Sequence, residues 1–186
     1  LEDLVERFAP VAHGKGLEIL CSPPTHAVHL LGDSKRLSQV LTNLVGNAIK
    51  FTERGEVVVR VDLLEQNQEQ MTCRFSVKDT GIGIPPERQD KLFQAFSQAD
   101  SSTTRKYGGT GLGLAISKVL VERMHGEFSV TSEAGVGSCF EFTARFDVAK
   151  SDAKAMPARS ELTGKKILVV DDNNTIRTLI ALSLRM

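Results

Sequence analysis

Residues 71–84 read MTCRFSVKDTGIGI, and their pattern decides the layering of the fold. Met71, Cys73, Phe75 and Val77 alternate with Thr72, Arg74, Ser76 and Lys78, the period-2 signature of a strand with one apolar face. The same parity puts Asp79 on the apolar side at the strand's end, directly before Thr80 and Gly81. A carboxylate aimed at an apolar layer must be paired or hydrogen-bonded. An amino group on a flat heterocycle such as adenine suits it, and so does a protein N–H.

Working outward, residues 56–64 form the other half of a hairpin, joined to this strand by the polar loop from Glu65 to Gln70. Upstream, Asp33 can cap a helix over residues 34–50 whose apolar face carries Leu37, Val40, Leu41, Leu44, Ala48 and Ile49. Residues 1–13 predict a short amphipathic helix limited by Pro10, and strands are expected around 17–21 and 26–31. Downstream, Pro85 and Pro86 open a helix expected to reach Phe96, and residues 97–107 read as a polar loop. Residues 112–125 are helical with Gly126 as the stop, and strands are expected at 127–132 and 138–148, the latter placing Phe140, Phe142 and Phe146 on one face. Helix and strand periods alternating along the chain predict a mixed α/β layer fold, which the family resemblance below narrows to an α/β two-layer sandwich.

Composition narrows the function. The 186 residues hold 23 Lys plus Arg against 23 Asp plus Glu, so no general field draws a polyanion, and neither nucleic acid nor a membrane surface is expected as a partner. No apolar run approaches the roughly 18 residues that span a bilayer, and no secretion signal opens the chain. Cys21, Cys73 and Cys139 are dispersed and odd in number, which predicts reduced thiols and a cytoplasmic setting. Leu1 in place of a starting Met suggests a piece of a longer protein. Residues 149–164, AKSDAKAMPARSELTG, read as a linker. KKILVVDDNN at 165–174 then predicts an apolar strand ending in two acids, followed by a helix, as at the start of a second domain.

Eight of the fifteen glycines fall in three clusters, at 81–83, 108–113 and 135–137. Each could be a tight turn. A Walker loop is excluded because Leu114 and Ala115 follow Gly113, and a dinucleotide G-x-G-x-x-G from Gly109 fails at Leu114. What remains for the middle cluster is a loop that aims backbone N–H groups and a helix N-terminus at an anion. On the 34–50 helix, Gln39, Asn43, Asn47 and Lys50 share one polar stripe with Gly46 in the same turn. Asn and Gly there cost roughly 0.5–1 kcal/mol apiece relative to Ala, a broken local rule of the kind that marks functional sites. An Asn oxygen is a suitable ligand for Mg²⁺, and Lys50 adds charge for phosphate.

The stretches 44–52 (LVGNAIKFT), 79–84 (DTGIGI), 92–100 (LFQAFSQAD), 109–115 (GTGLGLA) and 135–140 (GVGSCF) resemble, in order, the N, G1, F, G2 and last glycine boxes of the ATP-binding catalytic domain of sensor histidine kinases. That family sits in the wider superfamily of gyrase-like, chaperone and mismatch-repair ATPases, and the resemblance covers about residues 1–148. It implies the Bergerat ATP-binding fold, a mixed β-sheet covered on one face by helices, with ATP (or ADP) and Mg²⁺ as cofactors. Asn47 then looks like the metal ligand and Asn43 its neighbour in the phosphate network. Lys50 would contact phosphate and Phe51 pack on the nucleotide. Asp79 would accept the adenine amino proton, with Gly81, Gly83 and Ile84 around the base. Arg105 would reach the γ-phosphate, and Gly109, Thr110, Gly111, Leu112 and Gly113 would hold the phosphates.

Within that resemblance, position 43 separates transfer from hydrolysis. The hydrolytic relatives carry a Glu there to activate water, and Asn43 has no useful basicity. A neutral imidazole is already a nucleophile near pH 7, so transfer to histidine needs less help. None of His13, His26, His29 or His125 lies in an acceptor-like context, so no autophosphorylation by this chain is expected. The implied partners are a histidine-bearing dimerisation domain, a receiver domain that residues 165–186 resemble at its start, and a downstream response regulator or phosphotransfer protein. The parent resembles a hybrid histidine kinase, with or without a membrane anchor. Two other readings stand beside it: a nucleotide-responsive interaction module without catalysis, and an autonomous Ser/Thr kinase or ATPase.

Overall fold

The computed structural model describes residues 1–24, 29–67, 69–94, 111–149 and 165–184. Over these residues the elements are α1 (Glu2–Gly14), β1 (Leu17–Ser22), β2 (Leu30–Leu31), α2 (Ser34–Phe51), β3 (Gly55–Gln66), β4 (Gln70–Asp79), α3 (Pro86–Gln89), α4 (Gly113–Arg123), β5 (Phe128–Glu133), β6 (Gly137–Val148) and α5 (Asn174–Leu184). Six strands make one sheet in the order β1-β3-β4-β6-β2, with β5 also paired to β6. β1 runs parallel to β3 and every other pairing is antiparallel, so the sheet is mixed, as expected.

One face of the sheet is apolar because alternate residues of three central strands point the same way. Val57, Val59 and Val61 of β3, Met71, Cys73, Phe75 and Val77 of β4, and Phe140, Phe142, Ala144 and Phe146 of β6 are all buried. Phe75 stacks on Phe142 with ring centroids 4.9 Å apart. Onto this face α2 lays Val40, Leu41, Leu44, Val45, Ala48 and Ile49, with its first turn capped by Asp33, which accepts the Arg36 N–H at 3.1 Å. α4 packs beside α2, and α1 closes the β1 edge. The result is a two-layer α/β sandwich, the mixed α/β layering that the alternating periods predict in the two-layer form that the resemblance implies. All three cysteines are free, and burial pushes each thiol above its usual range. No described helix is long and apolar enough to cross a membrane.

Five sequence expectations need correction. Pro10 lies inside α1 rather than ending it: Ala12 beyond it is fully buried, and that packing carries the helix past the lost N–H and the crowding of the proline ring against the preceding turn. The strand expected at 26–31 is reduced to Leu30 and Leu31, with residues 25–28 outside the described set. β6 offers β2 only its last residues, Asp147 and Val148, since β5 occupies that edge from Gly137 to Phe142. The helix after Pro85 regularises only as far as Gln89, and tighter i→i−3 turns follow to Gln94. At the end of α4, His125 and not Gly126 adopts the left-handed conformation, at φ 56°. Gly126 is required for a different reason: a Cβ there would collide with the carbonyl of Thr143 on β6. Finally, residues 165–170 form no strand, and Leu168 and Val170 are 87% and 83% exposed. A strand needs a neighbour to take its backbone hydrogen bonds, and none is present for this stretch among the described residues.

Candidate functional site

Asp79 ends β4 with 6% of its surface exposed. It pairs across the sheet with Val57 on one side and Ser138 on the other, so the backbone holds its side chain rigidly. Its Oδ1 accepts the Gly81 N–H at 2.9 Å. Burial pushes its carboxyl above the usual range, and backbone N–H donors at Gly81 and Ser138 pull in the opposite direction. A carboxylate in this position is prepared to accept from one more donor.

The loop after Asp79 is built against three other elements. A Cβ on Gly81 would fall 2.5 Å from the Phe51 carbonyl and 2.9 Å from Thr52 Oγ1, and the Ile82 N–H donates to that same Phe51 carbonyl at 3.2 Å. Thr52, fully buried, donates back to Ala48 at 2.7 Å and closes the C-terminal end of α2. Gly83 takes φ 64° against the carbonyl of Glu133. Ile84, half-buried, donates its N–H to Ser132 Oγ at 2.8 Å and accepts from the Gln89 side chain at 2.9 Å. Gly137, at φ 139°, lies against the carbonyl of Asp79. The first and last glycine clusters therefore meet: Gly81, Gly83 and Gly137 are required by close backbone contact within the protein, while Gly135 has open space around it and is favoured by its φ of 81°.

The middle cluster meets α2 one helical segment away. Gly111 adopts φ 70° and leads into α4, whose first turn has no side-chain cap. Its leading N–H groups are thus not taken by a capping side chain, the arrangement that favours an anion. Gly113 lies against Asn43 so closely that a Cβ would collide with the amide oxygen, and Asn43 Nδ2 donates to the buried Ser117 Oγ at 3.0 Å. Asn43 and Phe51 are eight residues apart on α2, about 12 Å along the axis at 1.5 Å per residue. Between them Asn47 is half-buried and has no side-chain hydrogen bond among the described residues. Lys50 places its Nζ 4.8 Å from the Phe51 ring centroid, and burial holds its ammonium below the usual range.

The structure therefore sets Asn43, Asn47, Lys50 and Phe51 along α2, packs Gly113, which follows Gly111 and Leu112, against Asn43, and packs the Asp79–Ile84 loop at Gly81 and Ile82 against Phe51, with Gly83 and Ile84 resting on β5. Arg105, Gly109 and Thr110 lie outside the described residues, as do Phe96 and the whole loop at 97–107. Sequence reasoning missed four supporting groups: Ser117 under Asn43, Ser132 under Ile84, Thr80, and Lys15. Lys15 Nζ donates to the Ile49 carbonyl at 2.8 Å and so caps α2 from the loop after α1. None carries a local pattern, since each partner is more than thirty residues away or across the sheet.

Comparison with known proteins fits this architecture. Residues 32–148 match the family described as histidine kinase-, DNA gyrase B- and HSP90-like ATPase. The chain is 43% identical over 178 residues to the sensor histidine kinase GacS of Pseudomonas protegens, and 40% identical over 175 residues to the signal transduction histidine-protein kinase BarA of Escherichia coli K12. These alignments take in 95% and 94% of this chain but 19% of each relative, so the chain spans about a fifth of their length. Among solved structures, full-length ShkA in complex with AMPPNP superimposes with a TM-score of 0.78 at 35% identity, over 99% of this chain and 36% of that one. The catalytic domain of the histidine kinase ThkA shares the fold, with a TM-score of 0.63 at 24% identity over 77% of this chain and 90% of that one. A buried acid beneath a glycine loop, an Asn-bearing helix beside it and the matched span of 117 residues lead to one conclusion: this chain belongs to the histidine kinase-, DNA gyrase B- and HSP90-like ATPase family.

Proposed function

We propose that residues 1–148 are the MgATP-binding catalytic domain of a hybrid sensor histidine kinase, and that the domain transfers the γ-phosphate to a histidine on a separate dimerisation domain. The observation that carries this reading is the buried Asp79 carboxylate, already engaged by the Gly81 N–H and closed in by the end of α2. It offers a second acceptor site of the kind an adenine amino group needs. On the same helix, Asn47 presents an amide with no described partner, and the uncapped start of α4 faces Asn43 across Gly113.

The division of labour follows from these positions. Asp79 selects an amino-bearing base and Gly81 fixes the carboxylate that does so. Asn47 supplies the hard oxygen that Mg²⁺ prefers, and that ion would neutralise charge building on the transferred group. Lys50 and the α4 N-terminus hold phosphate oxygens, while Asn43, tied to Ser117, keeps the two helices in register. Because Asn43 cannot activate water, the domain favours transfer to an imidazole over hydrolysis. Residues 149–164 would be a linker and 165–186 the first elements of a receiver domain, giving a receiver and a downstream response regulator or phosphotransfer protein as partners. The domain would work in the cytoplasm, consistent with the absence of any described membrane-length helix.

The test is calorimetric titration of AMPPNP into the chain with Mg²⁺ and with chelator, beside Asn47→Ala and Asp79→Asn variants, followed by transfer from ATP to a separately supplied histidine-bearing helical domain. Saturable binding that weakens in chelator and in both variants, with phosphohistidine appearing on the supplied domain, is the expected result. A folded chain that binds no nucleotide, or one that binds and yields no phosphohistidine, would overturn the reading.

A further inference from the structure

β1 and β3 run parallel with Glu18 directly opposite Glu56. Both side chains lie on the sheet face away from the helices, because their strand neighbours Leu17, Ile19 and Val57 are buried on the helix side. Two carboxylates side by side on adjacent strands repel each other. Here one side chain answers both. Asn173 Nδ2 donates to Glu56 at 2.8 Å and also to Glu18, while Thr175 Oγ1 donates to Glu56 at 2.7 Å.

The other end of the same amide is also used. Asn173 Oδ1 accepts the N–H groups of Thr175 at 2.7 Å and Ile176 at 3.2 Å, which makes Asn173 the N-cap of α5. The turn is braced from behind, since Asp171 Oδ1 accepts the Asn173 N–H at 2.8 Å and Arg177 donates to the Asp171 carbonyl. The cap of α5 and its anchor to the sheet are therefore a single residue. The anchor point is close to the site: the Glu56 N–H donates to Thr80 Oγ1 at 3.0 Å and its carbonyl accepts the Thr80 N–H at 3.2 Å, next to Asp79.

We infer that the Glu18–Glu56 pair is a docking surface whose occupant is the 171–175 turn of this same chain, held by the two amide hydrogens of Asn173. Docking seats the turn that carries Asp171 and Asp172 on the open face of β1 and β3, the latter being the strand that pairs with β4 where it ends at Asp79. The inference needs neither nucleotide binding nor the receiver reading of residues 165–186, so it stands or falls separately from both.

Asn173→Asp separates anchor from cap. An Asp caps a helix as well as Asn does, but it replaces a double donor with a third carboxylate facing two others. Amide hydrogen exchange on the whole chain, with the 171–184 peptides referenced to the 40–49 peptide of α2, reads the difference. Losing a charge-assisted hydrogen bond to each Glu is expected to speed exchange in 171–184 by about tenfold or more. Adding Glu18→Gln and Glu56→Gln to that variant supplies amide donors from the sheet side and is expected to restore protection. Exchange unchanged by Asn173→Asp would overturn the proposal. So would acceleration that the glutamine pair fails to reverse, because the defect would then lie in α5 alone.

Discussion

Asn43 Nδ2 donates to Ser117 Oγ across 3.0 Å, a bond between residues 74 apart that fixes α4 against α2 where Gly113 begins the shorter helix. Ser117 is 2% exposed, so its hydroxyl has no water to turn to if the bond is broken. The pair holds the uncapped N-terminus of α4 beside the polar stripe of α2.

Ser117→Ala tests that function. The substitution leaves Asn43 short of an acceptor, and an unmade hydrogen bond of this kind costs about 1–3 kcal/mol. Urea unfolding should show a loss in that range. AMPPNP affinity should fall further than Asn43→Ser, which keeps a hydroxyl near the partner. Equal, negligible effects of the two variants on affinity would show that register between the helices does not matter for binding.

Asp79→Asn has a predicted sign and pH window. The Asp79 carboxyl is held above its ordinary range by burial, so its protonated form is favoured in the folded chain. Its contribution to stability is therefore fullest below the ordinary Asp range and is lost as pH rises through the raised folded value. Asn keeps the acceptor for Gly81 and has no charge to bury. The variant should match the wild type in strong acid and exceed it in Tm at neutral pH, while losing affinity for an adenine nucleotide. A Tm difference that is independent of pH would contradict the assignment.

Two glycine substitutions should move stability in opposite directions. Gly83→Ala meets the Glu133 carbonyl from a φ of 64°, where an added Cβ is strained whatever the space, and a loss of about 2 kcal/mol or more is expected. Gly46 lies inside α2 with nothing within 4 Å of an added Cβ. Gly46→Ala should stabilise the chain by roughly 0.5–1 kcal/mol through helix propensity. Thermal unfolding of both variants decides the matter, and destabilisation by Gly46→Ala would be the contrary result.

Phe142→Ala removes a fully buried ring that stacks on Phe75 and Phe128 at the centre of the sheet. A loss of about 3–5 kcal/mol is expected from the cavity and the lost burial, measured by denaturant unfolding. A loss under 1 kcal/mol would mean that the surrounding rings collapse to fill the space.

Much of this architecture is legible in the chain because it follows from local periodicity. Alternation at Met71, Cys73, Phe75, Val77 and Asp79 specified a one-faced strand and the inward acid, and the structure buries all five. The apolar stripe of α2 and its Asp33 cap were equally readable. The candidate residues Asn43, Asn47 and Lys50 were readable as one polar stripe of α2 and Asp79 from strand parity, whereas the roles of Phe51, Gly81, Gly83 and Ile84 rested on the resemblance of the 44–52 and 79–84 stretches to known boxes. Other features were not readable. Pro10 was misjudged because tertiary burial of Ala12 outweighs one missing N–H. The 165–170 strand failed to form because a strand depends on neighbours that no local pattern guarantees.

By itself, the sequence determined the long strands and helices at the centre of the sandwich, the direction in which Asp79 points and the polar stripe of α2, because side-chain parity and helical pitch are properties of a few consecutive residues. Only the tertiary structure decided which glycine clusters meet, that Gly81 and Gly137 close on Asp79, that Ser117 and Lys15 brace α2, and that Asn173 joins Glu18 to Glu56. Those relationships join residues distant along the chain, and hydrogen bonds and close contacts between such residues exist only once the layers have packed.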